Sequence, residues 1–292
     1  MKLFKSKKPQ YEYLRKKWLQ RHKEITQRVL DKHFRKAAIS SLGGLILLTT
    51  PGLSLPAANF IADQVNVTAQ EDRNALIKAE LLDKLPHEMR NLSKEEETKI
   101  TDVLSKDFGI KVTGELEGKR LNRTYGLIGG EQHLYRYPGD NLFAHAKTVQ
   151  DFAMYGDAGI APGLGAWGYF APSKAEFTQK DEERERYYIA VQTFLSSGFA
   201  ERFKEYRDFF KFRKMLLANP KTGQSVVAVI GDAGPAQWTG KHLGGSPEVM
   251  QGLGLASGPR KGPVLYFFID DPEDQVPLGP IKIAENAKLA VK

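Results

Sequence analysis

Charged and apolar residues are sharply separated in the first sixty positions of the chain. No charged residue occurs from position 37 to 62, and seven leucines and isoleucines lie within positions 42–55. A bilayer core requires roughly 20 mainly apolar residues in a helix, so this segment is long enough to span one. Two glycines and a Thr-Thr-Pro-Gly run weaken it as a helix. We predict a transmembrane anchor or signal segment over residues 37–62; the alternative is a buried helix of a soluble protein.

The preceding segment, residues 1–36, is strongly basic. It contains 13 Lys and Arg against 3 Asp and Glu, a net charge of +10, whereas the whole chain of 292 residues carries +8. The remainder therefore carries about −2, and since a nucleic-acid-binding domain needs a basic folded face, we expect no nucleic-acid partner. Positively charged flanks stay in the cytoplasm. The C-terminal domain is thus expected to be membrane-anchored and extracytoplasmic, or secreted if the leader is cleaved near Ala58.

Apolar residues recur at roughly helical spacing within the basic segment. They are Tyr11, Leu14, Trp18, Ile25, Val29 and Phe34. A basic amphipathic helix that lies on anionic lipid has this pattern, and so has a charged helix in solvent. Both interpretations place a basic cytoplasmic helix at residues 1–36.

Residues 63–120 have the pattern of a mostly helical stalk. Ser93 and Glu96 form a capping-box sequence, an apolar stripe follows, and Gly109 is placed to end the helix. A second helix is predicted over residues 70–84. From residue 110 the pattern changes to short alternating pieces, and the C-terminal domain is assigned to residues 121–292.

The C-terminal domain mixes strands with short helices. Residues 226–230 and 264–269 are apolar runs between Gly and Pro, typical of buried strands. Between them, Ser246 followed by Pro247 predicts the start of a short helix. An earlier aromatic stripe predicts one helix over residues 198–214, formed by Phe199, Phe203, Tyr206, Phe210 and Leu217. The predicted fold class is α+β.

Several motifs that resemble cofactor, metal or nucleophile sites lack the context that such a site needs. The run Gly163-Leu164-Gly165-Ala166-Trp167-Gly168 matches G-x-G-x-x-G, but prolines and aromatic residues flank it where a dinucleotide site needs a strand and a helix. His133, His145 and His242 lack metal-ligand spacing, and the chain has no cysteine. No G-x-S-x-G elbow occurs. We therefore expect no cofactor and no metal.

One stretch resembles a known superfamily. Gly231-Asp232-Ala233-Gly234-Pro235-Ala236 ends a predicted strand, Leu253-Gly254-Leu255 follows a short helix, and Gly262-Pro263-Val264-Leu265-Tyr266-Phe267-Phe268 begins the last strand. This order is similar to double-psi β-barrel proteins, namely the fungal-type chitosanases and the rare lipoprotein A-like and expansin-like domains. The close match covers about 55 residues. It implies a six-stranded double-psi-like β-barrel with inserted helices.

The resemblance implies hydrolysis of an amino-sugar polymer by two carboxylates. Asp232 matches the first carboxylate of the motif, whereas Gly244 occupies the position expected for the second. Glu248 and His242 are candidate assistants of Asp232. Aromatic side chains expected to bind the polysaccharide are Trp238, Trp167 and Tyr169.

Each of these assignments has an alternative. Asp232 could be a structural turn carboxylate, and the Trp rings could simply be buried. The resulting hypotheses are an active glycoside hydrolase or lytic enzyme acting on cell-wall or similar polymer, and a catalytically inactive wall-binding or scaffolding module. A third reading places the function in the leader and stalk, with the barrel as an assembly platform.

Overall fold

The C-terminal domain is a closed, six-stranded mixed β-barrel decorated with helices. A computed structural model describes residues 57–146 and 148–281, with only the backbone described at 57–69, 150 and 154. The strands are β1 (Val112–Thr113), β2 (Tyr125–Gly130), β3 (Tyr188–Val191), β4 (Lys214–Ala218), β5 (Ser225–Ala233), β6 (Leu243–Gly245), β7 (Lys261–Ile269) and β8 (Gly279–Pro280). The α-helices are α1 (Ala57–Leu82), α2 (Lys94–Phe108), α3 (Val149–Tyr155), α4 (Gln179–Arg186), α5 (Phe203–Phe210) and α6 (Pro247–Gly252).

The barrel closes because β7 pairs with both β2 and β4. The order around it is β7-β2-β6-β3-β5-β4, returning to β7, while β1 and β8 extend β7 and β5. The pairs β2–β6 and β3–β5 are parallel and the other four barrel pairs are antiparallel. The connection from β5 to β6 therefore passes across the end of β3. This mixed topology is compatible with a double-psi barrel.

Alternating side chains of the strands fill the barrel interior. Ile128, Ile189, Ile230 and Leu243, from four adjacent strands, belong to one fully buried cluster. Their chain neighbours face outward because successive side chains of a strand point to opposite faces. The predicted strands at 226–230 and 264–269 are confirmed as parts of β5 and β7.

Helices α1 and α2 cover part of the outer face, although residues 63–120 were expected to form a stalk. Ile77 and Leu81 of α1 and Ile100 and Leu104 of α2 pack with outward-facing residues of β4, β5 and β7. Each such fully buried side chain stabilises the fold by about 1.5–3 kcal/mol. The predicted capping box of α2 is confirmed, since Ser93 and Glu96 bond reciprocally, and Gly109 ends the helix at φ 64°.

The prediction of one helix over residues 198–214 was wrong at both ends. Helix α5 covers only Phe203–Phe210, and Leu217 lies in strand β4. Phe212 has φ +57°, a left-handed conformation that a helix cannot continue through. The seven-residue interval from Phe210 to Leu217 matches helical spacing, but the chain turns between the two residues.

The predicted basic helix at 1–36, and the predicted membrane segment as far as residue 56, lie outside the described residues. Among the helices that the structure does describe, none is both long enough and apolar enough to cross a membrane.

Candidate functional site

Asp232 lies on the outer face of the barrel at the end of β5. A register shift pairs Ile189 with Ile230 but Ala190 with Asp232, so Gly231 is an extra residue that forms a bulge. Because Ala190 alternates with the inward-facing Ile189, its partner Asp232 faces outward. The sequence motif thus marks a half-buried carboxylate at the place where the strand pairing is interrupted.

Two backbone N–H groups donate to the Asp232 carboxylate. Ala166 N lies 2.6 Å and Ala233 N 2.8 Å from the same oxygen, Oδ1. Burial raises the pKa of the Asp232 carboxyl above its ordinary value, and the two hydrogen bonds oppose that shift without cancelling it. The group is therefore easier to protonate than an exposed aspartate.

The loop at residues 163–168 is fixed to the bulge in β5. Trp167 Nε1 donates to Ile230 O at 3.0 Å, beside the bond from Ala166 to Asp232. Within the loop, Gly168 N donates to Gly165 O at 2.9 Å, which makes a tight turn and not a strand-to-helix junction. Trp167 is partly buried against the barrel core, and 37% of Tyr169 is exposed just after the loop.

The β5–β6 connection carries a second, fully accessible aromatic ring. Trp238 lies in a short 3-10 helix, Gln237–Thr239, and is 89% exposed. The buried amide of Gln192, directly after β3, donates to Pro235 O at 2.9 Å and Lys241 O at 3.3 Å. This amide, which sequence reasoning missed, fixes both ends of the connection over β3.

Gly244 is the position where the motif leads one to expect a second carboxylate. It pairs with Gly129 of β2 on one side and with Ala190 of β3 on the other. A Cβ atom at Gly244 would overlap the carboxylate of Glu131. The side chain of Glu131 therefore occupies the space that a residue larger than glycine would need.

Glu131 is paired and borders a cavity. Lys241 Nζ lies 2.5 Å from Glu131 Oε1, and both side chains are about one-quarter exposed. The cavity beside them has a volume of about 390 Å³ and is also lined by Arg260 and Lys261. Sequence reasoning missed Glu131 and Lys241, although the glycines of β2 were visible and glycine within a strand often marks a close approach.

Glu248 and His242 are not brought to Asp232. Glu248 is buried in the first turn of α6, 3.5 Å from Arg186, and burial raises its pKa to about 7. His242 Nδ1 accepts a hydrogen bond from Leu127 N, and burial followed by the nearby Arg123 lowers its pKa. Among the described hydrogen bonds and ion pairs, none joins either residue to Asp232.

A buried ionic network gathers two of the histidines around Glu185. His133 Nδ1 lies 3.1 Å from Oε1 of Glu185, while His145 Nδ1 (3.2 Å) and Arg136 Nε (2.9 Å) lie close to Oε2. His145 Nε2 also contacts Asp140 at 2.8 Å. No sequence spacing indicated this network.

The charges of the buried network support one another. Burial alone would raise the pKa of Glu185, but hydrogen bonds from His133 and His145 hold it well below its usual range. Burial would lower the pKa of His145, but its bonds to Asp140 and Glu185 raise it overall.

The network does not fit a metal centre well. Its two histidines and Glu185 bring possible ligand atoms within 4.8 Å of one another. However, the backbone N–H of Leu134 and the guanidinium of Arg136 already donate to the two carboxylate oxygens. A cation would have to displace Arg136, so the geometry favours a structural role.

No protein-family model matches the chain, and no curated protein matches it significantly. The similarity to double-psi proteins therefore rests on the motif around Asp232 and on the closed mixed barrel.

Proposed function

We propose that the chain is a membrane-anchored, extracytoplasmic protein with a double-psi-type barrel. It acts as a glycoside hydrolase or lytic enzyme that cleaves cell-wall polysaccharide or a similar amino-sugar polymer. The single observation that carries this proposal is the placement of Asp232. Its half-buried carboxylate, with a raised pKa, stands at the interrupted end of β5. The neighbouring outward positions on β3 and β6 carry only Ala190 and Gly244.

Asp232 is suited to act as a general acid. Glycosidic bond cleavage requires a group that protonates the leaving oxygen, and a carboxyl with a raised pKa keeps its proton at higher pH. The bonds to Ala166 and Ala233 engage Oδ1. The described hydrogen bonds leave Oδ2 as the oxygen for the proton that is donated.

Two exposed rings on segments connected to Asp232 offer surfaces for sugar. Trp238 is almost fully exposed on the connection that follows the motif, and Tyr169 is partly exposed after the loop held by Asp232. Aromatic rings present broad apolar faces on which the apolar face of a sugar can stack. Trp167 contributes mainly by packing, since its ring is partly buried and its N–H is bonded.

The charges around the cavity favour a polymer with acidic groups. Lys241, Arg260 and Lys261 line the cavity together with one carboxylate, that of Glu131. A cavity with excess positive charge attracts anions and repels cations. Peptidoglycan, whose peptides carry carboxylates, is therefore a better candidate substrate than polycationic chitosan.

The test uses the full-length chain in mild detergent, incubated with purified peptidoglycan or with chitosan. We expect soluble saccharide to be released from peptidoglycan, and expect Asp232→Asn to reduce the rate by about 10²–10⁴-fold, the usual contribution of general acid catalysis. Asp102→Asn, an exposed position on α2, is the matched control and should keep full activity. If the wild-type chain released soluble product from neither peptidoglycan nor chitosan, the enzymatic proposal would be refuted.

A second candidate function is a wall-binding module without turnover. It is favoured by the bond from Ala166 through which Asp232 holds the 163–168 loop and by the second bond from the neighbouring Ala233, because a carboxylate used in this way can be purely structural. In that case the protein should pellet with peptidoglycan, release nothing, and bind less after Trp238→Ala.

The proposed membrane placement is supported by the basic residues 1–36 followed by the uncharged residues 37–62. To test it, the chain is expressed with a C-terminal tag, and intact spheroplasts are treated with protease from outside. Loss of the tag supports an extracytoplasmic barrel, whereas full protection would refute it.

A further inference from the structure

We infer that the cavity beside Glu131 binds the carboxyl end of a peptide, whose carboxylate is held by Arg260 and Lys261. Glu131 then accepts a hydrogen bond from a peptide N–H group. This inference deepens the proposed function and rests on it for the source of the peptide, since peptidoglycan carries such peptides. It assigns no chemistry to the cavity, and Asp232 is not one of the lining residues.

Glycines of β2 leave room for the charged side chains that line the cavity. Gly129 and its partner Lys261 on β7 face outward, because the preceding residue of β2 points into the barrel core. A Cβ at Gly129 would overlap the side chain of Lys241. A Cβ at Gly130 would lie 3.5 Å from Nη2 of Arg260. Two adjacent positions without a side chain thus border an open cavity of about 390 Å³.

Two of the three cationic side chains at the cavity have no anionic partner. Lys241 Nζ lies 2.5 Å from Glu131 Oε1, so these two charges balance each other. Among the residues that the structure describes, no carboxylate forms an ion pair or hydrogen bond with the exposed side chains of Arg260 and Lys261. The cavity therefore has two positive charges available for an anion.

Arg260 has a backbone conformation that favours glycine. Its φ is +49°, and residues with a side chain rarely adopt a positive φ. Its C=O accepts a hydrogen bond from Gly130 N at 3.1 Å, which any residue at this position would accept. Glycine would satisfy the same backbone with less strain. Because strained residues cluster at ligand-binding positions, this conformation independently indicates that the guanidinium has a ligand.

The polar groups and the size of the cavity fit a peptide end better than an inorganic ion. A guanidinium presents paired N–H donors that match the two oxygens of a carboxylate or phosphate. Oε2 of Glu131 takes part in no described hydrogen bond, and this carboxylate repels phosphate but accepts an N–H group. A peptide end supplies a carboxylate and an N–H together. The cavity volume lies within the range of about 300–1,000 Å³ that is usual for small organic ligands.

The test measures binding of N-acetyl-D-alanyl-D-alanine, a peptide end of the kind found in peptidoglycan, to the full-length chain in mild detergent. Isothermal titration calorimetry at low salt should give a Kd of about 1 mM or lower, the affinity usual for so small a ligand. The same peptide with a C-terminal amide should bind about tenfold more weakly or worse, because it lacks the carboxylate. Inorganic phosphate should also bind about tenfold more weakly or worse, because Glu131 repels it.

Variants of Arg260 separate binding from folding. Arg260→Gln removes the charge but keeps the strained backbone, whereas Arg260→Gly removes both. We expect each variant to weaken peptide binding about tenfold or more. The Tm of Arg260→Gly should be unchanged or higher, because glycine relieves the strain. Lys174→Gln, at an exposed lysine that does not line the cavity, is the matched control and should bind the peptide as wild type does.

Three results would overturn the inference. The first is a wild-type chain that does not bind the peptide, or binds the amide or phosphate as tightly. The second is peptide binding that is unchanged in Arg260→Gly. The third is a fall in Tm of more than about 4 °C in Arg260→Gly, since the arginine would then be structural.

The outcomes distinguish this inference from the proposed function. If the peptide binds as expected but the wild-type chain releases nothing from peptidoglycan, the peptide site stands and glycan cleavage fails. If the wild-type chain cleaves peptidoglycan but does not bind the peptide, glycan cleavage stands and the peptide site is refuted.

Discussion

Replacing the central carboxylate of the buried ionic network should be among the most damaging single changes to the fold. Glu185 is completely buried, and its two oxygens lie within 3.2 Å of nitrogen atoms of His133, Leu134, Arg136 and His145. Glu185→Gln keeps the shape but removes the charge that balances Arg136. Breaking a buried ion pair by removing one partner typically costs about 3–5 kcal/mol, because the other charge is left uncompensated.

This loss is large enough to measure directly. For a folded unit of about 150–250 residues, 1 kcal/mol shifts Tm by roughly 2–4 °C, so Glu185→Gln should lower Tm by about 6–20 °C. The assay is thermal and urea unfolding followed by circular dichroism at pH 6. Glu183→Gln, two residues earlier on α4 and partly exposed, is the matched control and should change stability by less than about 0.5 kcal/mol. A loss below 1 kcal/mol for Glu185→Gln would refute the charge-balance interpretation.

Four further results are expected. The pKa of Glu248 is raised to about 7, so charging this carboxyl group destabilises the folded state as pH rises above about 4.5. Glu248→Gln should therefore be more stable than wild type by about 1–3 kcal/mol at pH 8 but not at pH 4.5. Equal effects at both pH values would contradict this expectation. Gly244→Ala should cost about 1–3 kcal/mol in urea unfolding by displacing Glu131, and most of the loss should disappear when Glu131 is also alanine. Gly223→Ala should cost more than 1 kcal/mol in the same assay, since φ is +77° and the added methyl would collide with the backbone of α1; an unchanged midpoint would contradict the close approach. Trp238→Ala should leave Tm unchanged but reduce pelleting with peptidoglycan, and undiminished pelleting would exclude this ring from binding.

The sequence predicts local structure best where a side chain controls its own backbone. Ser93 at the start of α2 and Ser246 with Pro247 at the start of α6 were predicted from capping chemistry and are confirmed. The error at α5 has the opposite cause. Leu217 keeps helical spacing with Phe210, but the left-handed Phe212 lies between them, and a phenylalanine carries no signal for that conformation.

Only the part of the candidate site that lies in one continuous stretch of sequence could be predicted. Asp232 stands in a six-residue motif, so its place at the end of a strand could be read from the sequence. Glu131 comes to lie against Gly244 through the parallel pairing of β2 with β6, across more than a hundred residues. No local pattern encodes such pairing, although the glycines of β2 and Gly244 were signs that side chains pack closely over these strands.

The most direct test of the account is the rate at which the full-length chain releases soluble saccharide from purified peptidoglycan, measured for wild type, Asp232→Asn and the Asp102→Asn control. We predict clear release by wild type and by the control, and a loss of at least a hundredfold in Asp232→Asn without any loss of pelleting. Release that is unchanged by Asp232→Asn, or no release by the wild-type chain, would contradict the central claim.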